Sequence, residues 1–182
     1  MTAQNDLVKN WFGNRFSDLH PLLQKLHIQG GILSGDDTLR YGKGIAGIIG
    51  KRLAKKMNLP DAGVHQLQVD ISHDEAGLHW GRCFNNQSSV VSLFKPVGTI
   101  ETGYWIETTG PLTMKLTVDI LDGAWHWKCL SVNFLGVPIP LYLIPKTTAY
   151  KKIEHDQYRF LVRFSLRGFG PLVSYQGLLQ AI

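Results

Sequence analysis

The stretch LTMKLTVDILDGAWHWKCLSVNF, residues 112–134, decides the fold of this chain. Every second residue of its first half is apolar, and these residues would share one face of a strand: Leu112, Met114, Leu116, Val118 and Ile120. This period of two is typical of a strand with one buried face. An Asp-Gly pair at 122–123 separates the run from a second one, which is a strong hairpin signal. The stretch therefore predicts two adjacent antiparallel strands.

The same period continues through the chain from residue 63 to its end. It marks eight strand candidates, at 64–71, 76–84, 88–95, 100–108, 112–121, 124–134, 158–166 and 171–179. Short linkers rich in turn residues join most of them, which predicts an antiparallel meander. A twisted sheet of this size tends to curl or close, and closure removes exposed edges. The predicted fold is α+β and mostly β: a curved antiparallel meander sheet or half-barrel of about eight strands.

Two helices are predicted to cap this sheet from the N-terminal side. The first lies in SDLHPLLQKLH at 17–27 and ends at Gly30 and Gly31, whereas GILSGDDTLRY at 31–41 is predicted to be a turn-rich link with room for a short strand. An apolar stripe marks the second helix: Ile45, Ile48, Ile49, Leu53 and Met57. We expect one domain over 1–182, with a helical cap at 1–62 and the antiparallel sheet at 63–182.

Composition narrows the function classes without selecting one. The chain has 182 residues, 44% of them hydrophobic, and a net charge of +5 that mildly favours anionic partners. The strand aromatics alternate with polar residues as core residues do, so nucleic acid is not an expected partner, while peripheral membrane contact stays open. The segment 1–12 has no apolar signal core, and the longest apolar stretch, FLGVPIPLYLIP at 134–145, is too short to span a bilayer and contains three prolines. We expect a cytoplasmic protein without a transmembrane segment.

Several motifs that suggest cofactor or metal chemistry do not hold up. Gly42, Gly44 and Gly47 have G-x-G-x-x-G spacing, but the polar residues before them do not predict the buried strand that a dinucleotide site needs. We expect these glycines to permit a tight turn and close helix packing. The seven histidines and the two cysteines, Cys83 and Cys129, show no metal-ligand spacing. We therefore predict no cofactor and no metal.

The stretch GLHWGRCF, residues 77–84, is the most informative for function. In a strand it would place Arg82 on the same face as Leu78, Trp80 and Phe84. An unpaired guanidinium in such surroundings costs several kcal/mol, so Arg82 needs an acidic partner or an acidic ligand. Glu107 and Glu154 are the candidate partners. Two interpretations stay open: an Arg–Glu pair that stabilises the sheet, or an anchor for a carboxylate or phosphate.

The order of several motifs resembles an uncharacterised bacterial family, domain-of-unknown-function family 4166. The motifs are HPLLQKL, GKGIAGIIGKRLAKKMNLPDAG, WGRCF, ETTGP, LGVPIPLYLIP, IEHDQYRFLVRFSL and GPLVSYQGLL, from about residue 18 to 180. The residues that match these motifs are Trp80, Arg82, Phe84, Ser92, Glu107, Gly110, Pro111, Pro138, Pro140, Pro145, Glu154, Tyr175 and Gly177. The resemblance implies that the domain occurs alone or fused behind saccharopine-dehydrogenase-like reductase domains. It implies no activity, and the nucleotide-binding part of fused members is a separate domain.

The leading hypothesis is a binding module whose curved sheet encloses an apolar pocket for an amphipathic acidic or lipid-like ligand. The predicted ligand-binding residues are Arg82, Trp80, Trp105, Glu107, Met114, Glu154, Phe160 and Tyr175. An alternative is an enzyme or accessory domain for a small acid, in which Arg82 orients the substrate and a glutamate acts as acid or base. A third hypothesis is a scaffold domain that docks a reductase partner.

Overall fold

Eleven antiparallel strands dominate the computed structural model, which describes residues 7–182. The strands are β1 (Gly31–Tyr41), β2 (Gly63–Asp74), β3 (Gly77–Phe84), β4 (Ser88–Val97), β5 (Tyr104–Thr109), β6 (Leu112–Leu121), β7 (Ala124–Phe134), β8 (Val137–Ile139), β9 (Lys146–Glu154), β10 (Gln157–Leu166) and β11 (Gly170–Ala181). The helices are α1 (Leu7–Phe12), α2 (Pro21–Gln29) and α3 (Gly44–Lys56), with 3-10 helices at Gly13–Asp18 and Leu141–Leu143. The first six residues of the predicted 1–62 cap lie outside the described residues.

Ten of these strands close into a barrel. Their order is β6-β5-β4-β3-β2-β1-β11-β10-β9-β7, and β7 also pairs with β6. At the junction of β7 with β9, which we call the seam, only three residue pairs join the strands: Trp125 with Lys151, His126 with Tyr150, and Trp127 with Ala149. Beyond the seam β7 pairs instead with the short strand β8, which stays outside the barrel.

The predicted mostly β, antiparallel α+β fold is confirmed, but the prediction of an open sheet or half-barrel of about eight strands is wrong. The hairpin at 112–134 forms as β6 and β7. The strands that the sequence pattern missed are β1, β8 and β9. The segment predicted to be a link at 31–41 is an eleven-residue strand that lies between β2 and β11. With β1 and β9 added, every neighbour in the sheet is paired and the barrel can close.

The segment 7–29 covers one end of the barrel. From here on, the word cap means this segment and not the longer cap predicted at 1–62. Its aromatic side chains enter the barrel core: Phe12 packs edge-on against Trp125, with ring centroids 4.7 Å apart, and Trp11 lies 5.4 Å from Trp105. The Trp11 indole Nε1 donates a hydrogen bond to the Val97 carbonyl, 3.3 Å away. Helix α2 ends at Gly30, whose φ of 71° is unfavourable for most other residues, as the glycine signal predicted.

Helix α3 packs on the outer face of β11 through its smallest residues. Ala46, Gly50 and Ala54 are buried. Of the predicted stripe, Ile45 and Ile48 are 64% and 59% exposed, whereas Leu53 and Met57 pack against the core, so only its C-terminal part faces the core. The reason is the closeness of the two backbones: a Cβ on Gly50 would lie 1.9 Å from the Leu172 carbonyl oxygen. The predicted glycine motif has the same use: a Cβ on Gly42 would lie 2.0 Å from the Pro171 carbonyl oxygen, and Gly44 begins the helix with a φ of 55°. The prediction of a tight turn and close packing is therefore confirmed. No helix within residues 7–182 is long and apolar enough to cross a bilayer.

Gly50→Ala is expected to destabilise the protein by about 1–3 kcal/mol, because the new methyl group collides with the backbone of β11. In an ordinary exposed helix the same change would stabilise by roughly 1 kcal/mol. Urea unfolding followed by circular dichroism measures the difference. Arg52→Ala, on the exposed face of α3, is the control and should have little effect. A Gly50→Ala protein as stable as wild type would contradict the close packing.

Candidate functional site

The barrel interior is unusually aromatic. All five tryptophans of the chain belong to or pack against the core. The ring centroid of Trp125 lies 6.3 Å from that of Trp105 and 5.0 Å from that of Trp127. Trp80 on β3 reaches across to Tyr158 on β10, at 6.3 Å. Because β3 and β10 are not neighbours in the sheet, this contact crosses the barrel and places both rings inside it.

Arg82 lies in this interior without a carboxylate partner. Its Nη1 donates a hydrogen bond to the Tyr175 hydroxyl oxygen at 3.2 Å, and its Nη2 donates to Ser92 Oγ. Its Nε is buried and has no partner within the described part of the chain. No Asp or Glu oxygen of residues 7–182 comes within 4.0 Å of the guanidinium. The guanidinium is thus held by two hydroxyl groups, and its buried Nε–H has no partner in that part of the chain.

Glu107 is connected to Arg82 indirectly. Ser92 Oγ lies 2.6 Å from Thr109 Oγ1, and the Thr109 hydroxyl donates to Glu107 Oε1 at 3.2 Å. The hydroxyl protons can therefore all point from Arg82 towards Glu107. Burial raises the pKa of the Glu107 carboxyl, and the nearby Arg82 charge opposes the rise. Burial likewise raises the pKa of Tyr175.

A second cation, Lys151, lies beneath the cap in a cage of indole rings. Its Nζ is 3.8 Å from the ring centroid of Trp125, 4.1 Å from that of Trp80 and 5.5 Å from that of Trp127. Only 3% of the residue is exposed, and this burial lowers the pKa of Lys151 well below its usual value. The faces of the three rings favour the charged form through cation–π attraction, which acts against the cost of desolvation.

His27 of α2 completes this cage. Its Nδ1 lies 2.7 Å from the Leu23 carbonyl oxygen and must donate to it, so Nε2 is free to accept from Lys151 Nζ at 2.5 Å. Burial, and then the Lys151 charge, lower the pKa of His27 well below its usual value. A neutral imidazole is the form that accepts this hydrogen bond. The cap thus contributes a polar atom to the barrel interior as well as apolar cover.

Asp37 on β1 is the most isolated acid of the interior. The residue is fully buried, and neither carboxylate oxygen has a hydrogen-bond partner among residues 7–182. Burial raises the pKa of Asp37 to about 7, against a smaller opposing effect of the Gln176 backbone. At neutral pH this carboxyl group is therefore poised between its protonated and ionised forms.

The structure gathers most of the residues predicted for ligand binding, with one departure. Those that belong to or border the interior are Trp80, Arg82, Trp105, Glu107, Met114, Phe160 and Tyr175. Glu154 lies instead on the outer side of β9, where it pairs with Lys152 at 2.5 Å and Arg159 at 3.2 Å. The structure therefore does not bring Glu154 to Arg82.

Sequence reasoning missed Lys151, His27 and Asp37. A weak signal existed for Lys151, because it lies two residues from Ala149 and two from Ile153. Residues at this spacing share one face of a strand, which here points inward. Asp37 similarly lies in phase with Leu33 and Leu39 on β1. No local pattern marks His27, because the cap helix brings it to Lys151 from 124 residues away.

The barrel wall parts next to the seam and opens laterally. Beyond the pair Trp127–Ala149, strands β7 and β9 diverge, and a cavity of about 350 Å³ lies between them. Trp127, Cys129 and Thr147 belong to its lining, together with Leu141 and Ile144 of the segment that follows β8. The ring centroid of Trp127 lies 5.5 Å from Lys151 Nζ, and Trp127 also lines this cavity, so the cavity adjoins the edge of the aromatic interior.

Comparison with known proteins places the chain in a family. The family model described as "Domain of unknown function (DUF4166)" matches residues 19–179. The chain belongs to the DUF4166 family. The resemblance inferred from the motifs is thereby confirmed, and the match runs from the cap through almost all of β11. A comparison with curated proteins finds no match. Neither comparison therefore gives this DUF4166 domain an activity or a ligand.

The buried carboxyl group of Asp37 predicts a distinctive pH dependence of stability. The folded-state pKa is about 7 and the ordinary value is 3.8, so ionisation opposes folding as the pH rises between these values. Asp37→Asn removes this effect. Its free energy of unfolding, relative to wild type, should therefore rise by about 3 kcal/mol between pH 5 and pH 8. Denaturant unfolding at four pH values measures it.

Asp36→Asn is the matched control, because Asp36 is the adjacent residue of β1 and is exposed. Its pH dependence should follow that of the wild-type protein. Parallel curves for wild type and Asp37→Asn would show that Asp37 is ionised at little cost, and would contradict its isolation.

Proposed function

We propose that this DUF4166 domain binds a small amphipathic anion inside its barrel, with the acidic head at Arg82 and the apolar body against the interior aromatic rings. One observation carries the proposal: the Arg82 guanidinium lies inside the barrel with a buried, unpartnered Nε and no carboxylate within 4.0 Å in the described residues. An arginine cannot escape this situation by losing its proton, because the guanidinium stays protonated in proteins. A carboxylate or phosphate that accepts from Nε would satisfy it.

The neighbours of Arg82 support a site for an anionic head group. Tyr175 accepts from Arg82 and keeps its own hydroxyl proton for a ligand oxygen. Glu107, the acid that could neutralise Arg82, is engaged by the Thr109 hydroxyl. The carboxyl group of Glu107 stays beside the guanidinium without occupying it. Such an arrangement keeps the donor groups oriented for an incoming anion, at a low cost of reorganisation.

Apolar side chains with partial exposure support a site for the ligand body. Met114, Val162 and Phe164 pack against the core yet are only half-buried, as is Trp80. We propose that the ligand enters past Trp127, the core-packed ring that lines the cavity beside the seam. Burying about 300 Å² of ligand surface at about 25 cal/mol per Å² gives roughly 7 kcal/mol before the costs of association, which suits micromolar binding at best.

A second function is favoured by a separate observation. Glu107 has a raised pKa and lies near Arg82 without a direct ion pair, which is the situation of a general acid or base beside a substrate-orienting arginine. Asp37, with a pKa of about 7, could exchange protons in the same interior. Under this alternative the protein converts a bound small acid into a different compound and then releases it. Mass spectrometry of the released compound detects the conversion.

Arg82→Met tests the binding proposal. The variant should bind dodecanoate and dodecyl phosphate about a hundredfold more weakly than wild type, because a charge-assisted hydrogen bond contributes roughly 1.5–3 kcal/mol. Binding of dodecanol, which has no acidic head, should change little. Displacement of a fluorescent fatty acid, followed by titration, gives the three affinities. Arg163→Met, at an exposed position of β10, is the matched control and should bind all three ligands normally.

Stability of the ligand-free variant separates this proposal from a purely structural role. Arg82→Met should be as stable as wild type or more stable, because it removes a buried charge that has no carboxylate within 4.0 Å in the described residues. An arginine held in a structural ion pair would instead cost about 3–5 kcal/mol on removal. A strongly destabilised variant, or equal binding of acid and alcohol by wild type, would contradict the proposal.

A further inference from the structure

An apolar surface surrounds the lateral opening of the barrel. It consists of Phe134 and Leu135 at the β7–β8 turn, strand β8, and the following segment through Ile144, and we call it the flap, residues 134–144. Its largest exposed side chains are Phe134 (44%), Leu135 (74%), Val137 (64%), Leu141 (45%), Tyr142 (82%) and Leu143 (63%). So many neighbouring exposed apolar groups mark an interaction surface, because soluble surfaces usually show them singly.

The strands next to the flap are basic and contain few acids. Asp119 of β6, which lines the cavity beside the seam, is paired with Lys128 at 3.4 Å. Residues 123–153 and 157–182 contain no Asp or Glu at all. Lys146 follows the flap after Pro145. Across β9 and β10, Lys146 pairs with Ser165 and Thr148 pairs with Arg163. Lys146 and Arg163 therefore lie near each other on the outer face, and Arg167 follows in the β10–β11 turn. Within residues 7–182, none of these three cations has an acidic partner within 4.0 Å.

The backbone of the flap is unsuited to strand addition by another protein chain. Strand β8 forms the free edge of the sheet, and such an edge normally attracts a further strand. Pro138 lies within β8 and Pro140 directly follows it, and a proline has no N–H to donate to a ladder. A partner that contacts only the side chains is therefore favoured over one that extends the sheet.

We propose that the flap and its basic border dock on the surface of an anionic lipid bilayer. The exposed leucines and Tyr142 would enter the head-group region, where a tyrosine places its ring in the apolar layer and its hydroxyl in water. Lys146, Arg163 and Arg167 would meet the lipid phosphates. A bilayer of zwitterionic lipid offers no net negative charge to this border, so binding depends on anionic lipid. The inference stands apart from ligand binding at Arg82, although docking would set the lateral opening against the bilayer.

Vesicle flotation tests the proposal. Wild-type protein should float with phosphatidylcholine vesicles that contain about 30% phosphatidylserine and should not float with phosphatidylcholine alone, because basic residues near the surface bind the anionic leaflet. Leu143→Asp should weaken the binding at least tenfold, since it places a charge in the inserting segment. Leu121→Asp is the matched control: Leu121 is 56% exposed but lies in the β6–β7 hairpin at the cap end, so binding should be unchanged.

A double substitution that removes two positive charges tests the basic border separately. Lys146→Gln combined with Arg167→Gln should reduce the affinity for the anionic vesicles about thirtyfold, at roughly fivefold for each charge. Lys9→Gln with Lys25→Gln removes the same charge from the cap and should have little effect. Arg82→Met should bind vesicles like wild type, which keeps this test distinct from that of the ligand site.

Other occupants of the flap give different results. If wild-type protein floats with neither vesicle composition, the proposal is overturned. If Leu143→Asp instead abolishes a concentration-dependent dimer in sedimentation velocity, with no vesicle binding, the flap is an interface between copies of this chain. Equal binding of the Leu121→Asp and Leu143→Asp variants to anionic vesicles would also refute the flap as the docking surface.

Discussion

Three residue pairs between β7 and β9 close this barrel, and the character of its interior depends on that closure. An eight-stranded barrel is about wide enough for side chains to fill, and a ten-stranded one is wider. Here the extra width is occupied by large aromatic rings and by ionisable groups on opposite walls. The seam contributes both aromatic rings and an ionisable group, because Trp125 pairs with Lys151 there and Trp127 pairs with Ala149. Where the pairing stops, the wall opens.

The two interior cations are stabilised in different ways, and the difference locates the site. Lys151 has three indole faces and a histidine nitrogen around it, and it can also lose its proton. Arg82 has two hydroxyl acceptors and cannot lose its proton. Burying a charge without a carboxylate in direct contact costs several kcal/mol, of which each hydrogen bond from the guanidinium to a hydroxyl returns roughly 1.5–3 kcal/mol. Arg82 is therefore the group whose environment is improved most by a bound anion.

The parts of the fold that the sequence predicted well are those in which apolar residues keep a strict period. The β6–β7 hairpin and the inward face of β3, with Arg82 on it, follow directly from alternation. Strands β1 and β9 were missed because Asp37 and Lys151 occupy inward positions and interrupt that alternation. The residues that make the interior polar are thus the same ones that conceal its strands, as functional or strained positions often do.

Two other features depended on distances between segments that are remote in sequence. The isoleucines of α3 looked like part of a core stripe, but at Gly50 the helix approaches β11 too closely for any side chain, and only the small Ala46 and Ala54 share its buried face. Glu107 and Glu154 looked equally suitable as partners of Arg82, and only the strand register shows that Glu154 lies outside the barrel beside Lys152. Local pattern gives the face of a strand, but closure decides which faces meet.

A crystal structure of the protein with 12-bromododecanoate tests the central claim most directly, because bromine is located by its anomalous scattering. The account predicts bromine density inside the barrel wall, and a carboxylate at about 3 Å from Arg82 Nε, with the Tyr175 hydroxyl as a second donor. An interior without bromine density, in which the Glu107 carboxylate binds the Arg82 guanidinium directly, would contradict it.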